Sequence, residues 1–139
     1  MDLTESFIQE MIQKLGSRAE LDGFEIKRSY DGSVCTYPMD VPLVTVGRDE
    51  SEKASLLLGA DSGSLHSGGI QISVSTDESR GARFCEECAY LVCTAVLEED
   101  ENRYITSVRV ERAVYEKSCF AYKVMMSFGT REWFCVTGQ

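Results

Sequence analysis

The chain of 139 residues is poor in several residues on which common chemistries depend. It has one histidine, one tryptophan and two prolines, and its 14 lysines and arginines are outnumbered by 23 acids, for a formal charge of −9. The single histidine, His66, stands beside Ser64 and Ser67 in a Gly/Ser-rich stretch. Sequence neighbours in such a stretch do not make a nucleophile–base arrangement, because catalysis needs groups held at fixed geometry. A protein that tracks phosphates needs a cationic face to displace their counterions, so the acidic balance argues against a sequence-specific nucleic-acid partner. No run of about 18 apolar residues occurs, and no membrane partner is expected. The opening Met1-Asp2-Leu3-Thr4-Glu5 has neither the basic nor the apolar region of a signal peptide, which leads to the expectation of a cytoplasmic protein. Gly59, Gly63, Gly68 and Gly69 match no phosphate-loop spacing, and no Gly-Lys-Ser/Thr follows them. No paired acids stand out for hydrolysis. The expectation is a protein that is not an enzyme, with no catalytic residues and no cofactor.

What is present suits one globular unit. Hydrophobic residues make up 43%, enough for one core at this length, and residues 1–139 are expected to form a single domain. Leu3, Phe7, Ile8, Met11, Ile12 and Leu15 recur at helical spacing, with Asp2 and Glu5 as a capping box and Gly16 as a stop. Phe24, Ile26, Arg28 and Tyr30 alternate as a strand, and Asp31-Gly32 predicts a hairpin turn leading to Val34, Thr36 and Pro38. Pro38 and Pro42 exclude residues 37–42 from a central strand, and Leu43–Val46 follows as another strand. Ala54–Leu58 and Ile70–Thr76 are expected to form a hairpin with a long projecting tip over Gly59–Gly69.

A second helix is expected over Ser79–Leu97, with Phe84, Cys85, Cys88, Ala89, Val92, Cys93 and Val96 on its apolar stripe. Its end is placed at Leu97 because the run Glu98-Glu99-Asp100-Glu101 is repelled by the helix dipole and belongs in a solvated turn. Tyr104–Arg112 and Val114 read as one long strand, and Phe120–Phe128 as its antiparallel partner after a turn near Glu116-Lys117-Ser118. Arg131–Val136 either adds a short strand or packs across the sheet. The whole is an α+β pattern: a mostly antiparallel sheet with two main helices.

Six cysteines is a high count. Cys85-x-x-Cys88 with Cys93 is the spacing nearest to a chemistry. A zinc site wants four soft ligands, usually as two pairs on turns, whereas these three fall within a helical pattern. Cys35, Cys119 and Cys135 are isolated. Buried thiols packing as small apolar groups are the plainer reading. The alternative function is a cytosolic metal- or small-molecule-binding domain built on Cys85, Cys88 and Cys93.

The N-terminal helix Phe7-Ile8-Gln9-Glu10-Met11-Ile12 is followed by Tyr37-Pro38-Met39-Asp40-Val41-Pro42-Leu43-Val44-Thr45-Val46-Gly47. Then come the strand–helix unit Ile70–Leu97 and the closing strands with Val108-Val110 and Tyr122-Val124. In this order and pattern the chain resembles the phage tail-terminator and tail-completion proteins, and related minor tail or neck components. The resemblance implies an α+β fold with a mixed sheet, helices on one face and a projecting hairpin loop. It implies a structural protein that forms a homo-oligomeric ring, commonly a hexamer, which caps the tail tube and joins it to the head. The partners implied are other copies of the chain, the tail tube protein and the head–tail connector protein. The implied location is the cytoplasm during assembly and the tail or neck of a virion. For self-assembly, Leu56, Leu57 and Leu58 offer burial between subunits, and the tip with Ser64, Leu65 and His66 would order on meeting a neighbour. An open sheet edge can pair with the next copy in a heterologous ring.

Overall fold

The computed structural model describes residues 3–29, 40–48, 66–101 and 103–132. Helix α1 spans Leu3–Gly16, strand β1 Glu25–Arg28, β2 Leu43–Arg48 and β3 His66–Asp77. Helix α2 spans Gly81–Glu99, and β4 (Ile105–Val110), β5 (Val114–Glu116) and β6 (Ala121–Glu132) close the chain. Short 3-10 turns at Ala19–Leu21 and Glu78–Arg80 precede β1 and α2. The strand order is β1-β2-β3-β6-β4, with β5 pairing β6 alongside β4. Among the described strands, only β1 and β2 run parallel. The α+β class, with a mixed, mostly antiparallel sheet and two main helices, is therefore as expected.

The core forms where the two helices lie on the sheet. Ile8, Met11 and Leu15 of α1 and Cys85, Cys88, Ala89, Val92, Ala95 and Val96 of α2 are buried against Val44, Val46, Ile70, Ile72, Val74, Val124, Met126 and Phe128. In register, Val44 opposes Val74, which opposes Val124, while Val46 opposes Ile72, which opposes Met126. Side chains directly opposite across a ladder share a face, so three strands present one continuous apolar layer. Each such side chain contributes about 1.5–3 kcal/mol when withdrawn from water. The other face of the same strands is small and polar: Thr45 and Ser73 are hydrogen-bonded through their hydroxyls at 2.5 Å.

Local chemistry fixes the element ends. Gly23 (φ 92°) turns the chain into β1, and Gly81 (φ 88°) separates the 3-10 turn from α2. Both positions lie in a region that a side chain disfavours. The Asp77 carboxylate accepts the Ser79 N–H at 3.0 Å and starts that turn.

Several expectations need correction. Residues 70–75 of β3 pair with β2 on one side and with β6 on the other. Both edges are occupied, so Ile70–Thr76 cannot also pair with Ala54–Leu58 as a hairpin. The strand also begins earlier than the glycine-rich composition suggested. Residues 66–69 already pair with Gly129–Glu132, because ladder hydrogen bonds need no side chains.

The second helix runs two residues further than the dipole argument allowed. Arg18 bonds Glu98 at 2.5 Å and Glu99 at 2.8 Å, and Lys14 Nζ donates to the Glu99 carbonyl at 3.4 Å. Arg18 thus neutralises two acids, and Lys14 bonds a carbonyl, at the negative end of the dipole. Glu20 also contacts the Arg18 guanidinium, which holds the Glu20 carboxyl below its ordinary pKa. Asp100 is not merely solvated, since its carboxylate accepts the N–H groups of Tyr104 at 2.9 Å and Ile105 at 2.8 Å.

The long strand of 104–114 is two strands, β4 and β5. Between them the Ala113 N–H leaves the ladder for the Glu86 carboxylate at 3.0 Å. Arg131 and Glu132 extend β6. The predicted strand at 34–38, the Asp31-Gly32 turn, Leu56–Leu58, residues 59–65 of the expected tip and Trp133 lie outside the described residues.

Candidate assembly surface

Strand β6 has two neighbours, and the outer one carries the exposed apolar surface. Of nine exposed large hydrophobic residues among the described ones, five fall within residues 108–120: Val108, Val110, Val114, Tyr115 and Phe120. Such clustering differs from the single scattered apolar residues normal on any surface. Val108 opposes Phe128 and Val110 opposes Met126, so both point to the helix-covered side, yet Val110 keeps 50% of its surface exposed. Helix α2 packs on β3 and β6 and stops short of covering β4.

Glu86, Tyr90 and Leu97 lie on one stripe of α2 at helical spacing. Because Glu86 reaches Ala113, that stripe flanks the β4–β5 edge. Tyr90 is 73% exposed, and Leu97 is exposed as well. Helix stripe and strand edge both leave apolar side chains exposed.

The backbone of this edge is also available. Glu111 N–H bonds the Met125 carbonyl at 3.0 Å, which makes Glu111, and by alternation Arg109, the positions bonded to β6. The N–H and C=O groups of Val108 and Val110 therefore point outward, where no further described strand pairs with them. An exposed apolar edge of this kind is a template for another chain.

Charge distinguishes the same edge. Arg109, Arg112 and Lys117 are exposed and form no ion pair among the described residues. Several other cations are engaged. Arg28 pairs with Glu5 at 2.8 Å, Arg83 with Glu87 at 3.5 Å and Lys27 with Glu25 at 3.0 Å, and the Arg80 guanidinium sits 4.0 Å over the Phe84 ring. The turn that ends the edge places Phe120 at φ 50°, a conformation costly for a bulky residue, while its carbonyl accepts the Glu78 N–H at 3.0 Å.

Of the residues proposed from sequence for self-assembly, Leu56, Leu57, Leu58, Ser64 and Leu65 lie outside the described residues. The backbone of His66 opens β3 opposite Glu132. The cysteine trio is carried by α2. Cys85 and Cys88 are in the core and Cys93 is half-buried. The Cys85 thiol lies 3.4 Å from the Val74 carbonyl and 3.3 Å from the Tyr122 carbonyl and donates there. Burial pushes all three thiols up, Cys88 to about 11. At neutral pH they are protonated and pack as apolar groups. No group of three potential ligands is assembled for a metal among the described residues.

Two concave regions complete the surface. A groove of about 260 Å³ lies between α1 and the end of α2, lined by Phe7, Glu10, Lys14, Glu99, Glu101 and Tyr104. Another, of about 280 Å³, lies between Asp40–Pro42 and the start of α2, with Asp77, Arg80 and Phe84 in its wall. In the second, the Ser79 hydroxyl donates to the Asp77 carboxylate at 2.5 Å, part of the turn that the same carboxylate starts.

Sequence periodicity did not separate β4 from the core strands, since both alternate. The signal that could have done so is three uncompensated cations, Arg109, Arg112 and Lys117, set between apolar residues in a chain of charge −9. No protein family, curated protein or solved structure matches the chain.

Proposed function

We propose that this chain is a structural subunit of a phage or prophage tail-completion ring, which caps the tail tube and joins it to the head connector. The observation that carries this proposal is the β4–β5 edge, which combines outward backbone groups, clustered exposed apolar residues and unpaired cations on a rigid sheet. A protein that works alone has reason to cover such an edge; a subunit of a ring uses it. The mixed sheet with two helices accords with the architecture that the family resemblance implies.

The test is native mass across protein concentration, with and without magnesium, followed by addition of the tail tube protein during its polymerisation. A closed ring, commonly a hexamer, and tubes whose growth stops at a bound ring are the expected results. Tubes of unchanged length with no associated protein would overturn the proposal.

A further inference from the structure

We infer that the cationic β4–β5 edge of one copy docks on the acidic groove between α1 and the end of α2 of the next copy, head to tail. This rests on the ring-forming function proposed above and assigns the two surfaces that the ring would join. One surface is the edge with Arg109, Arg112 and Lys117 beside exposed Val110 and Tyr115; Arg109, opposite Ser127, lies on the other face of the sheet from Val110, and Glu111 is an exposed acid among the cations. The other is the groove of about 260 Å³, whose lining sets four acids, Glu10, Glu99, Asp100 and Glu101, against one cation, Lys14, with Glu99 already paired to Arg18. Its aromatic wall is the Phe7–Tyr104 pair, with ring centroids 4.7 Å apart. Guanidinium groups suit such a groove, since they pair with carboxylates and stack on aromatic faces at once.

The occupant is a second copy on grounds of charge and reach. The chain as a whole carries −9, so a second copy offers an acidic surface at the concentration at which the protein itself exists. The two surfaces cannot satisfy each other within one molecule. Arg112 lies eight residues beyond Tyr104 along extended chain, roughly 25 Å away at the rise of a strand. A patch that complements a different patch of the same molecule produces a heterologous contact, which closes into a ring when the rotation allows.

Charge also explains how an acidic protein would associate with itself. Long-range repulsion between copies is overcome by locally opposite charge, and that attraction is screened over about 8 Å at physiological salt. Rising sodium chloride should therefore dissociate the ring.

The experiment uses two variants of the full chain. One reverses the edge (Arg109→Glu, Arg112→Glu, Lys117→Glu); the other reverses the groove (Glu10→Lys, Glu101→Lys). All five side chains are exposed, and circular dichroism and the thermal midpoint check that each variant folds. If either fails that check, the neutral set Arg109→Gln, Arg112→Gln replaces the edge variant and Glu10→Gln, Glu101→Gln the groove variant. Native mass should show each charge-reversed variant unassembled, with the association midpoint raised at least about 100-fold. A 1:1 mixture of the charge-reversed pair should regain the ring, because each edge then meets a groove of opposite sign in alternation.

With the neutral variants the expected result is a weaker ring with reduced salt sensitivity. An edge variant that assembles like the wild type overturns the inference and leaves the proposed function standing. A mixture that stays unassembled overturns the pairing of these two surfaces. Wild-type protein that stays monomeric, both alone and with the tube protein, overturns the inference together with the function.

Discussion

Strands β3 and β4 pair with the same strand, β6, on its two sides, and their fates differ. Ile70 and Val108 both oppose Phe128, and Ile72 and Val110 both oppose Met126. Ile70 and Ile72 are buried, whereas Val108 and Val110 are exposed. Hydrogen-bonded pairing is common to both, so pairing does not set burial. Helix coverage does: α1 and α2 lie over β2, β3 and β6 and end before β4. The same alternating pattern thus builds a core on one side of β6 and an exposed apolar surface on the other.

The sharpest way to test that contrast is truncation at neighbouring positions. Phe128 is 1% exposed at the centre of the sheet, and Phe128→Ala should cost about 4 kcal/mol by loss of burial and creation of a cavity. Val110→Ala on the adjoining strand should cost less than about 1 kcal/mol. Urea denaturation, with the slope unchanged, reads both values. Equal losses would mean that β4 is packed as β3 is, and the distinction between them would fail.

That distinction also marks what the sequence could reveal. Helical spacing located α1 and α2, and alternation located β2, β3, β4 and β6, because both patterns record which side of an element meets apolar neighbours. Alternation does not record which strand lies beside which. The hairpin expected from Ala54–Leu58 therefore gave way to pairing of β3 with β2 and β6. The last turn of α2 was misjudged for a related reason: Arg18 is about 80 residues from Glu98 and Glu99, and a local dipole argument cannot include it. Val108 and Val110 alternate as core strands do, and nothing in their spacing says how far a helix extends. The β4–β5 edge was legible only as an excess of free cations.

The thiols of α2 offer a second, smaller contrast between core and surface. Burial raises Cys88 from the ordinary value of 9.0 to about 11 and pushes Cys85 and Cys93 in the same direction. A raised folded-state pKa means that the unfolded chain gives up its protons first. The stability associated with these buried neutral thiols is present in full below about pH 9 and is lost as pH rises through about 11. The thermal midpoint of the wild type should fall across this window more steeply than that of Cys88→Ala. Parallel curves would show Cys88 to be solvated, and the buried stripe of α2 would have to be redrawn.

The smallest expected effect has the opposite sign. Phe120 holds φ 50° and is 45% exposed at the end of the β4–β5 edge. A side chain there meets the following carbonyl, at a cost of about 1–2 kcal/mol relative to a relaxed backbone. Glycine adopts this conformation freely but loses more backbone entropy on folding. Phe120→Gly should therefore stabilise the monomer by about 0.5–1 kcal/mol net, read as a midpoint a few degrees higher. The Phe120 carbonyl that accepts the Glu78 N–H is part of the backbone and is retained. Assembly should weaken in the same variant, since an exposed aromatic ring leaves the docking edge. Gain of monomer stability with loss of association is the signature of a residue kept for a partner at the expense of the fold. A destabilised monomer would instead place the ring within the packing of its own chain, and the edge would be less distinct from the core than its exposure indicates.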